Sequence, residues 1–352
     1  MKTPALLICL GAVVAPTASA QTTAYTAPSG YVKLDIPAAI SASEPSLSAI
    51  SVTLLGEVAY SGPAVVDAFA NGEQTIQLPG LNLASAAWVT SGEPHVAYLK
   101  TAEVPASGGN PAIPAGEEPF PITAIGGSGA GTPASDELRI QVEGDLSGLN
   151  FPASNTITIR KATTISSVFG KESSLITGND RLFVWAENTW NQLQHFPNSG
   201  WFNISQGFAE ANDMILFSSE GILVSRAAST PTTLTIFGDV PTTPQVTTIP
   251  GNGLSFISGR FPVTDQTAPT TLSDMKINEL PSWGDDDRVF MRANGEWNSH
   301  IFFGNAWFNE SDGFSSSDSE AIPPNSALFV SRSGNSSADT EKITLDLPYT
   351  ID

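Results

Sequence analysis

The sequence has a single cysteine, few basic residues and little charge. The cysteine, Cys9, lies in an N-terminal segment that we expect to be removed on export. A mature chain without it has no disulfide, no thiolate nucleophile and no cysteine-based metal site. Against 35 acidic residues there are 15 basic ones, which gives a net charge of −20. Because phosphates must be neutralised by cations, this balance argues against nucleic-acid binding.

The first twenty residues have the three-part layout of a secretory signal peptide. Lys2 supplies the positive charge, residues 5–14 form an apolar run, and Ala18-Ser19-Ala20 supplies the small residues before a cleavage site. That run is too short to span a bilayer, and no later run is long enough for a transmembrane helix. We therefore expect residues 1–20 to be a signal peptide and the protein to be exported, to the extracellular space, the cell surface or the periplasm.

Alternation of apolar and polar residues is the dominant pattern of the chain. It is typical of strands with one buried and one solvated face, as in antiparallel sheets. The 30 glycines and 26 prolines break the chain into short runs, and long helical periodicity is absent. The predicted fold class is all-β, with antiparallel sandwich- or barrel-like units. The clearest predicted strands lie at 31–36, 137–143, 156–160, 233–237 and 342–347.

The C-terminal half contains an internal duplication. Its two copies align with a constant offset of 106 or 107 residues, and a thinner echo links LSAIS at 47–51 with LSFIS at 254–258. Two copies are fewer than a solenoid or propeller needs, so we predict a paired sandwich or two similar lobes. The aligned pairs are Asp180-Arg181 with Asp287-Arg288, Trp190-Asn191 with Trp297-Asn298, Trp201-Phe202-Asn203 with Trp307-Phe308-Asn309, SQGF at 205–208 with SDGF at 311–314, and ILVSR at 222–226 with LFVSR at 328–332.

These patterns divide the chain into four predicted parts. Residues 1–20 are the signal peptide, and residues 21–170 form an N-terminal β region. The proline- and glycine-rich stretch 104–135 within that region is predicted to be a long exposed loop with one short strand. Residues 171–250 form the first β repeat unit, and residues 251–352 form the second.

Several phrases, in this order along the chain, resemble a family of exported proteins. They are SGYVKLDI at 29–36, TITIRKATTISSVFG at 156–170, the NDRLFVW and DDRVFMR strands, and ILVSRAASTPTTLTIFGDV at 222–240. The chain is similar in them to a paralogous family that is expanded in Verrucomicrobium and its relatives and has no established activity. The resemblance implies a secreted, β-rich protein, and it implies no site residues.

Tryptophans are the first candidates for a binding site. Exposed rings can stack on sugars, which makes Trp185, Trp190 and Trp297 speculative ligand-binding residues. The alternative is that the matched rings pack in the interior, where large rings stabilise hairpins, and duplication favours this interpretation. Trp185 has no tryptophan partner in the second copy, where Arg292 is its approximate counterpart, so it is the ring that packing explains least.

Acidic residues and histidines offer less. The run Asp285-Asp286-Asp287 is a speculative calcium site, although the spacing of an EF-hand is missing and a solvated turn explains it as well. No pair of carboxylates stands out as the acid and base of a hydrolase, no histidine pair suggests zinc, and no nucleophile elbow or phosphate loop occurs. We predict no catalytic residues and no cofactor apart from this speculative calcium.

The sequence therefore favours a non-enzymatic protein of the cell envelope or the extracellular space, with a structural or adhesive role and an unknown ligand. Its partners would be glycans, envelope components or further copies of itself. The first alternative is a secreted carbohydrate-binding module, and the second is a polysaccharide hydrolase.

Overall fold

The computed structural model describes residues 28–103, 105, 115–126, 133–142, 144–146, 151–172, 179–186, 189–259, 261–262, 269–277, 283–293, 295–333, 340–345 and 347–348. The predicted signal peptide and part of the predicted loop 104–135 lie outside these ranges. The described chain is all-β, as predicted from its alternation. Its two α-helices, α1 (Ala87–Thr90) and α2 (Ile165–Phe169), are four and five residues long, and neither could reach across a bilayer.

Twenty-three strands follow one another along the described ranges. The first two are β1 (Ser29–Ile36) and β2 (Ser46–Ser51). Six more are β3 (Val58–Ala70), β4 (Glu73–Gln77), β5 (His95–Lys100), β6 (Glu117–Ile125), β7 (Glu137–Gln141) and β8 (Ser154–Lys161). Then come β9 (Arg181–Ala186), β10 (Thr189–Phe196), β11 (Gly200–Asn203), β12 (Ala209–Glu210), β13 (Gly221–Arg226) and β14 (Thr232–Asp239). The last nine are β15 (Gln245–Pro250), β16 (Gly253–Ser258), β17 (Lys276–Ile277), β18 (Arg288–Ala293), β19 (Glu296–Phe303), β20 (Ala306–Asn309), β21 (Ser315–Ser316), β22 (Ala327–Arg332) and β23 (Thr340–Leu345).

The first sandwich consists of β1, β2 and β9–β14. Six of these strands form an antiparallel sheet in the order β12-β11-β10-β9-β13-β2, and β1 pairs with β14 to cover one face of it. In β1, Val32, Leu34 and Ile36 point into the core between the two layers, while the intervening residues face outward. The period of two that predicted this strand is therefore the pattern that builds the core.

The second sandwich, β15–β23, repeats this architecture. Its six-stranded sheet has the order β16-β22-β18-β19-β20-β21, and β15 pairs with β23 as β1 pairs with β14. Strands β2 and β16, which carry the LSAIS and LSFIS phrases, occupy the same edge of the two sheets. The faint echo in the sequence thus marks equivalent strands.

Strands β3–β8 form a closed barrel in the order β6-β5-β8-β3-β4-β7, with β7 pairing back onto β6. The barrel has its own apolar core, and the turn between β3 and β4 is an Asn71-Gly72 pair with positive φ at both residues, which is typical of a tight hairpin. It is inserted between β2 and β9, so strands on both sides of it in the sequence share the first sandwich. The backbone N–H of Lys161, the last residue of β8, donates to the carbonyl of Glu57, just before β3, at 2.9 Å. This hydrogen bond joins the two ends of the inserted segment.

The prediction of a long exposed loop is wrong for residues 117–121, whereas the short strand predicted within that stretch is confirmed at residues 122–125. These residues form β6, which pairs with β5 along Glu117–Pro121, and Glu118 and Phe120 are buried. On its other edge β6 meets β15 only at Glu117 and β7 only from Ile122 onward. Its two prolines lie in the interval between these partners, where a missing N–H breaks no ladder hydrogen bond.

The two sandwiches pack through the outer faces of their six-stranded sheets, with approximate twofold symmetry. The N–H of Ser258 donates to the carbonyl of Ser219 at 3.0 Å, and the equivalent N–H of Ser51 donates to the carbonyl of Asn325 at 2.9 Å. Equivalent contacts in both directions are the mark of the self-complementary interface found in symmetric dimers. The chain is therefore arranged as a dimer of its own two copies.

Near the symmetry axis, Gly221 meets its own counterpart, Ala327. A Cβ atom on Gly221 would lie 2.5 Å from the Cβ of Ala327 and 2.6 Å from a ring atom of Phe256. Only glycine allows the two sheets to approach this closely.

Candidate functional site

Trp201 and Trp307 fill the cores of the two sandwiches. Both are almost fully buried, and the indole N–H of Trp201 donates to the carbonyl of Gly170 at 2.9 Å. Trp307 packs edge-on against Trp283, with ring centroids 4.9 Å apart. The prediction that this matched pair packs in the interior is confirmed.

Trp190 and Trp297, two of the predicted ligand-binding residues, lie where the sandwiches meet. Both are half-buried. Trp190 contacts Phe256 and Phe329 of the second sandwich, with centroids 5.4 and 6.0 Å apart, and Trp297 lies 5.0 Å from Phe329. Trp190 therefore packs across the interface between the two sheets, and Trp297 packs on Phe329 of its own sheet, so the geometry of both rings favours packing over ligand binding.

Trp185 is placed differently. It pairs across the strand with Trp190, with centroids 5.1 Å apart, and it also lines a cavity. In the second sandwich Arg292 occupies the equivalent place and stacks over Trp297 at 5.7 Å. The one predicted ring that lacks a tryptophan counterpart is therefore the one that borders an open space.

This junction cavity lies where the barrel and both sandwiches meet, and its volume is about 440 Å³. One wall of the cavity is residues 118–121 of β6, the part that pairs with neither β15 nor β7. No strand of the described ranges lies along this edge of β6, and the cavity occupies the space. Four aromatic rings from all three parts line it: Phe120, Trp185, Phe217 and Phe256.

A buried ion pair closes one side of the junction cavity. Lys342 Nζ donates to Glu118 Oε2 at 2.7 Å and lies 4.2 Å from the ring centroid of Phe151. Glu118 Oε1 accepts hydrogen bonds from the N–H of Thr248, at 3.0 Å, and from its hydroxyl. Both oxygens of Glu118 are engaged, and the pair ties the barrel to the second sandwich.

Glu220 is the other acid of the junction cavity. Its side chain has no hydrogen bond or ion pair to any residue that the structure describes, and burial raises the pKa of its carboxyl to about 8. Thr247, which also borders the cavity and is nearly buried, has a hydroxyl without a partner among the described residues. The cavity therefore places polar groups that have no hydrogen-bond partner among the described residues beside aromatic rings, which is the usual composition of a ligand pocket.

The three aspartates of the speculative calcium site do not converge. Asp287 is fully buried and binds Arg332, the N–H of Ser333 and the N–H of Gly284. Asp285 accepts from the N–H of Gly304 at 2.9 Å, and Asp286 is exposed. Over the described ranges, no three His, Cys, Asp or Glu side chains are close enough together to hold a metal ion. The geometry gives the calcium hypothesis no support.

Two exposed phenylalanines, which were not among the predicted site residues, lie on the surface. Phe208 and Phe314 occupy equivalent places in the SQGF and SDGF phrases, are 55% and 60% exposed, and have φ values of 65° and 67°. Phe208 lies beside Phe196, with centroids 6.1 Å apart. The repeat alignment contained this signal, because both phrases keep the ring after a glycine.

The fold defines an all-β protein in which two like sandwiches pack as a pseudo-dimer and an inserted barrel encloses a cavity against them. No protein-family model, curated protein or solved structure matches the chain.

Proposed function

We propose that the protein is an exported, non-enzymatic component of the cell envelope or its surroundings, with a structural or adhesive role. It would act through two equivalent phenylalanine surfaces. The first comprises Phe196, Phe202 and Phe208, and the second comprises their aligned counterparts Phe303, Phe308 and Phe314. Export agrees with the resemblance of the sequence to a family of exported proteins.

The exposure of Phe208 and Phe314 carries this proposal. A bulky residue with positive φ is an outlier that costs on the order of 1–3 kcal/mol, and such strain is typical of functional positions. An exposed ring also forgoes the stabilisation that burial would give it. Both costs are repeated in the second copy, which favours a role for the rings in contact with another surface.

Two like surfaces on one rigid chain favour attachment to a repetitive partner. When one surface is bound, the second is held close to its own target, so the overall affinity exceeds that of either alone. The edges beside these surfaces are the two-residue strands β12 and β21, too short to template further strand pairing. Side-chain contact is therefore the mode of attachment that the geometry supports.

The hydrolase alternative receives less support. A glycosidase needs a free carboxylate and a carboxylic acid on either side of its substrate. The junction cavity holds two glutamates, but both oxygens of Glu118 are engaged by Lys342 and Thr248, which leaves none to attack a sugar or a water.

The test is sedimentation of the purified mature protein with envelope fragments from the cells that produce it. Phe208→Asn and Phe314→Asn remove the rings but keep a residue that tolerates positive φ. We expect the double variant to bind at least about tenfold more weakly than wild type, and the single variants to lie between them. Phe237→Thr, at a 76% exposed ring outside both surfaces, is the control and should bind as wild type does.

Wild-type protein that stays in the supernatant at every concentration, or a double variant that binds like wild type, would contradict the proposal. Fractionation of the same cells tests export separately, because the proposal requires the chain outside the cytoplasm.

A further inference from the structure

The junction cavity departs from the symmetry of the two copies. Around it the contacts are duplicated, since the bridge between Glu220 and Ile257 has its equivalent between Ser326 and Ile50. The side chains are not duplicated, because Glu220 stands where the second copy has Ser326. Trp185 likewise stands where the second copy has Arg292. Both departures border the cavity.

Two of the three charged side chains that the structure shows around the cavity pair with each other, and the third does not. Lys342 and Glu118 neutralise each other, and Thr248 completes the hydrogen bonds of Glu118. Glu220 has no ion pair with any cation in the described ranges, and burial raises the pKa of its carboxyl to about 8. These three are the titratable groups among the described residues that line the cavity. Of the three, Glu220 is the one that these residues leave without an opposite charge.

The aromatic lining suits such a charge. The faces of Trp and Phe rings attract ammonium groups, and the attraction is stronger where the contact is shielded from water. Trp185, Phe217 and Phe256 border the same cavity as Glu220. In the second sandwich the chain itself places a cation against an indole, where Arg292 stacks over Trp297. An acid beside aromatic rings is the arrangement that recognises alkylated ammonium groups.

We propose that the junction cavity binds a small organic cation, whose ammonium group pairs with the carboxylate of Glu220 against the ring of Trp185. A volume of about 440 Å³ is suited to a molecule of this size. The strongly acidic character of the whole chain would concentrate cations around it.

Proton release should accompany binding. The free carboxyl of Glu220 is protonated at neutral pH, and it must lose its proton to pair with an ammonium ion. Affinity should therefore fall by up to about tenfold for each pH unit below 8 and level off above it. A neutral ligand would show no such dependence, or the opposite one.

The experiment uses choline as the probe, titrated into the purified protein by calorimetry between pH 6 and pH 9. Its neutral isostere, 3,3-dimethylbutan-1-ol, has the same shape without the charge, and glucose tests for a sugar site. We expect choline to bind with the pH dependence above, and Glu220→Gln to weaken it at least about tenfold at pH 8.5. Trp185→Leu should also weaken it, whereas Glu57→Gln, at an exposed acid of the barrel, should leave it unchanged.

Three results would overturn the proposal. Choline does not bind at pH 8.5, the neutral isostere or glucose binds as tightly as choline, or Glu220→Gln binds choline as wild type does. Circular dichroism and thermal unfolding of each variant establish that a loss of binding does not come from a loss of fold.

Discussion

The carboxylate of Asp180 and the guanidinium of Arg226 lie 3.0 Å apart in the interior of the first sandwich, and both side chains are almost completely buried. Asp180 also accepts the N–H of Ala227 at 2.7 Å. Asp287 and Arg332 make the same pair in the second sandwich, with the N–H of Ser333 at 2.9 Å. The Asp-Arg and Val-Ser-Arg phrases of the duplication are therefore two halves of one structural element.

Removal of either aspartate should be strongly destabilising. Asp180→Ala or Asp287→Ala removes the carboxylate that compensates the charge of a buried arginine, which costs about 3–5 kcal/mol of unfolding free energy. Urea denaturation measures this loss. Glu73→Ala is the control, because Glu73 pairs with Arg139 at the surface at 3.7 Å, where a pair contributes about 0–1 kcal/mol. Equal losses at buried and surface pairs would contradict the expectation.

Gly221→Ala tests the interface between the sandwiches. The added methyl group meets Ala327 and Phe256 at less than 3 Å, and such overpacking typically costs about 1–3 kcal/mol. In Gly30→Ala, on β1, the new Cβ has its nearest neighbour at 3.7 Å, so this variant should be as stable as wild type or slightly more stable. The urea midpoints of the two variants measure the difference. A destabilised Gly30→Ala together with an unaffected Gly221→Ala would refute the prediction of close packing at Gly221.

His300→Leu should stabilise the protein. The ring of His300 is fully buried, and neither of its nitrogens has a partner among the described residues. Leu193 occupies the equivalent position of the first sandwich. An unsatisfied buried group costs about 1–3 kcal/mol, so the apolar residue should recover a similar amount. His195→Leu is the contrast, because it loses a 2.8 Å hydrogen bond to the carbonyl of Lys171 and should be destabilising.

The gain from His300→Leu should increase in acid. Burial lowers the pKa of His300, so the folded state disfavours the charged ring. The unfolded chain takes up a proton as the pH falls through about 6.5, and wild-type stability declines over that range. Urea midpoints at pH 5 and pH 7.5 measure this effect, and a gain that is the same at both pH values would argue against it.

Glu220 should make the protein less stable as the pH rises. Its folded pKa, about 8, lies above the ordinary value of a glutamate, so the folded state holds a proton that the unfolded state has already released. Between about pH 5 and pH 8 the contribution to stability falls by at most about 1.4 kcal/mol per pH unit. Glu220→Gln should remove this slope, and Glu57→Gln should retain it. Parallel pH profiles for wild type and Glu220→Gln would sink the prediction.

Much of the fold could be predicted from the sequence, because alternation in strands such as β1 and β14 reports directly on which side chains are buried. The packing of Trp201 and Trp307 was predictable from their duplication, because large rings kept at equivalent positions of two copies favour a role in the core. The barrel was not, because its β6 carries prolines that suggest a loop, and only its irregular pairing makes them tolerable. The cavity was not predictable either, since Glu118, Glu220 and Lys342 come together from distant segments and share no local pattern.

The placement of the barrel between β2 and β9 limits the order in which the parts can be completed as the chain emerges, N-terminus first, into the compartment where it folds. Strands β1 and β2 emerge early but pair with β14 and β13, which follow nearly two hundred residues later. The barrel strands find all their closing partners within residues 58–161. The barrel can therefore fold before the first sandwich does. The apolar faces of β1 and β2 must avoid non-native contacts until β13 and β14 have emerged.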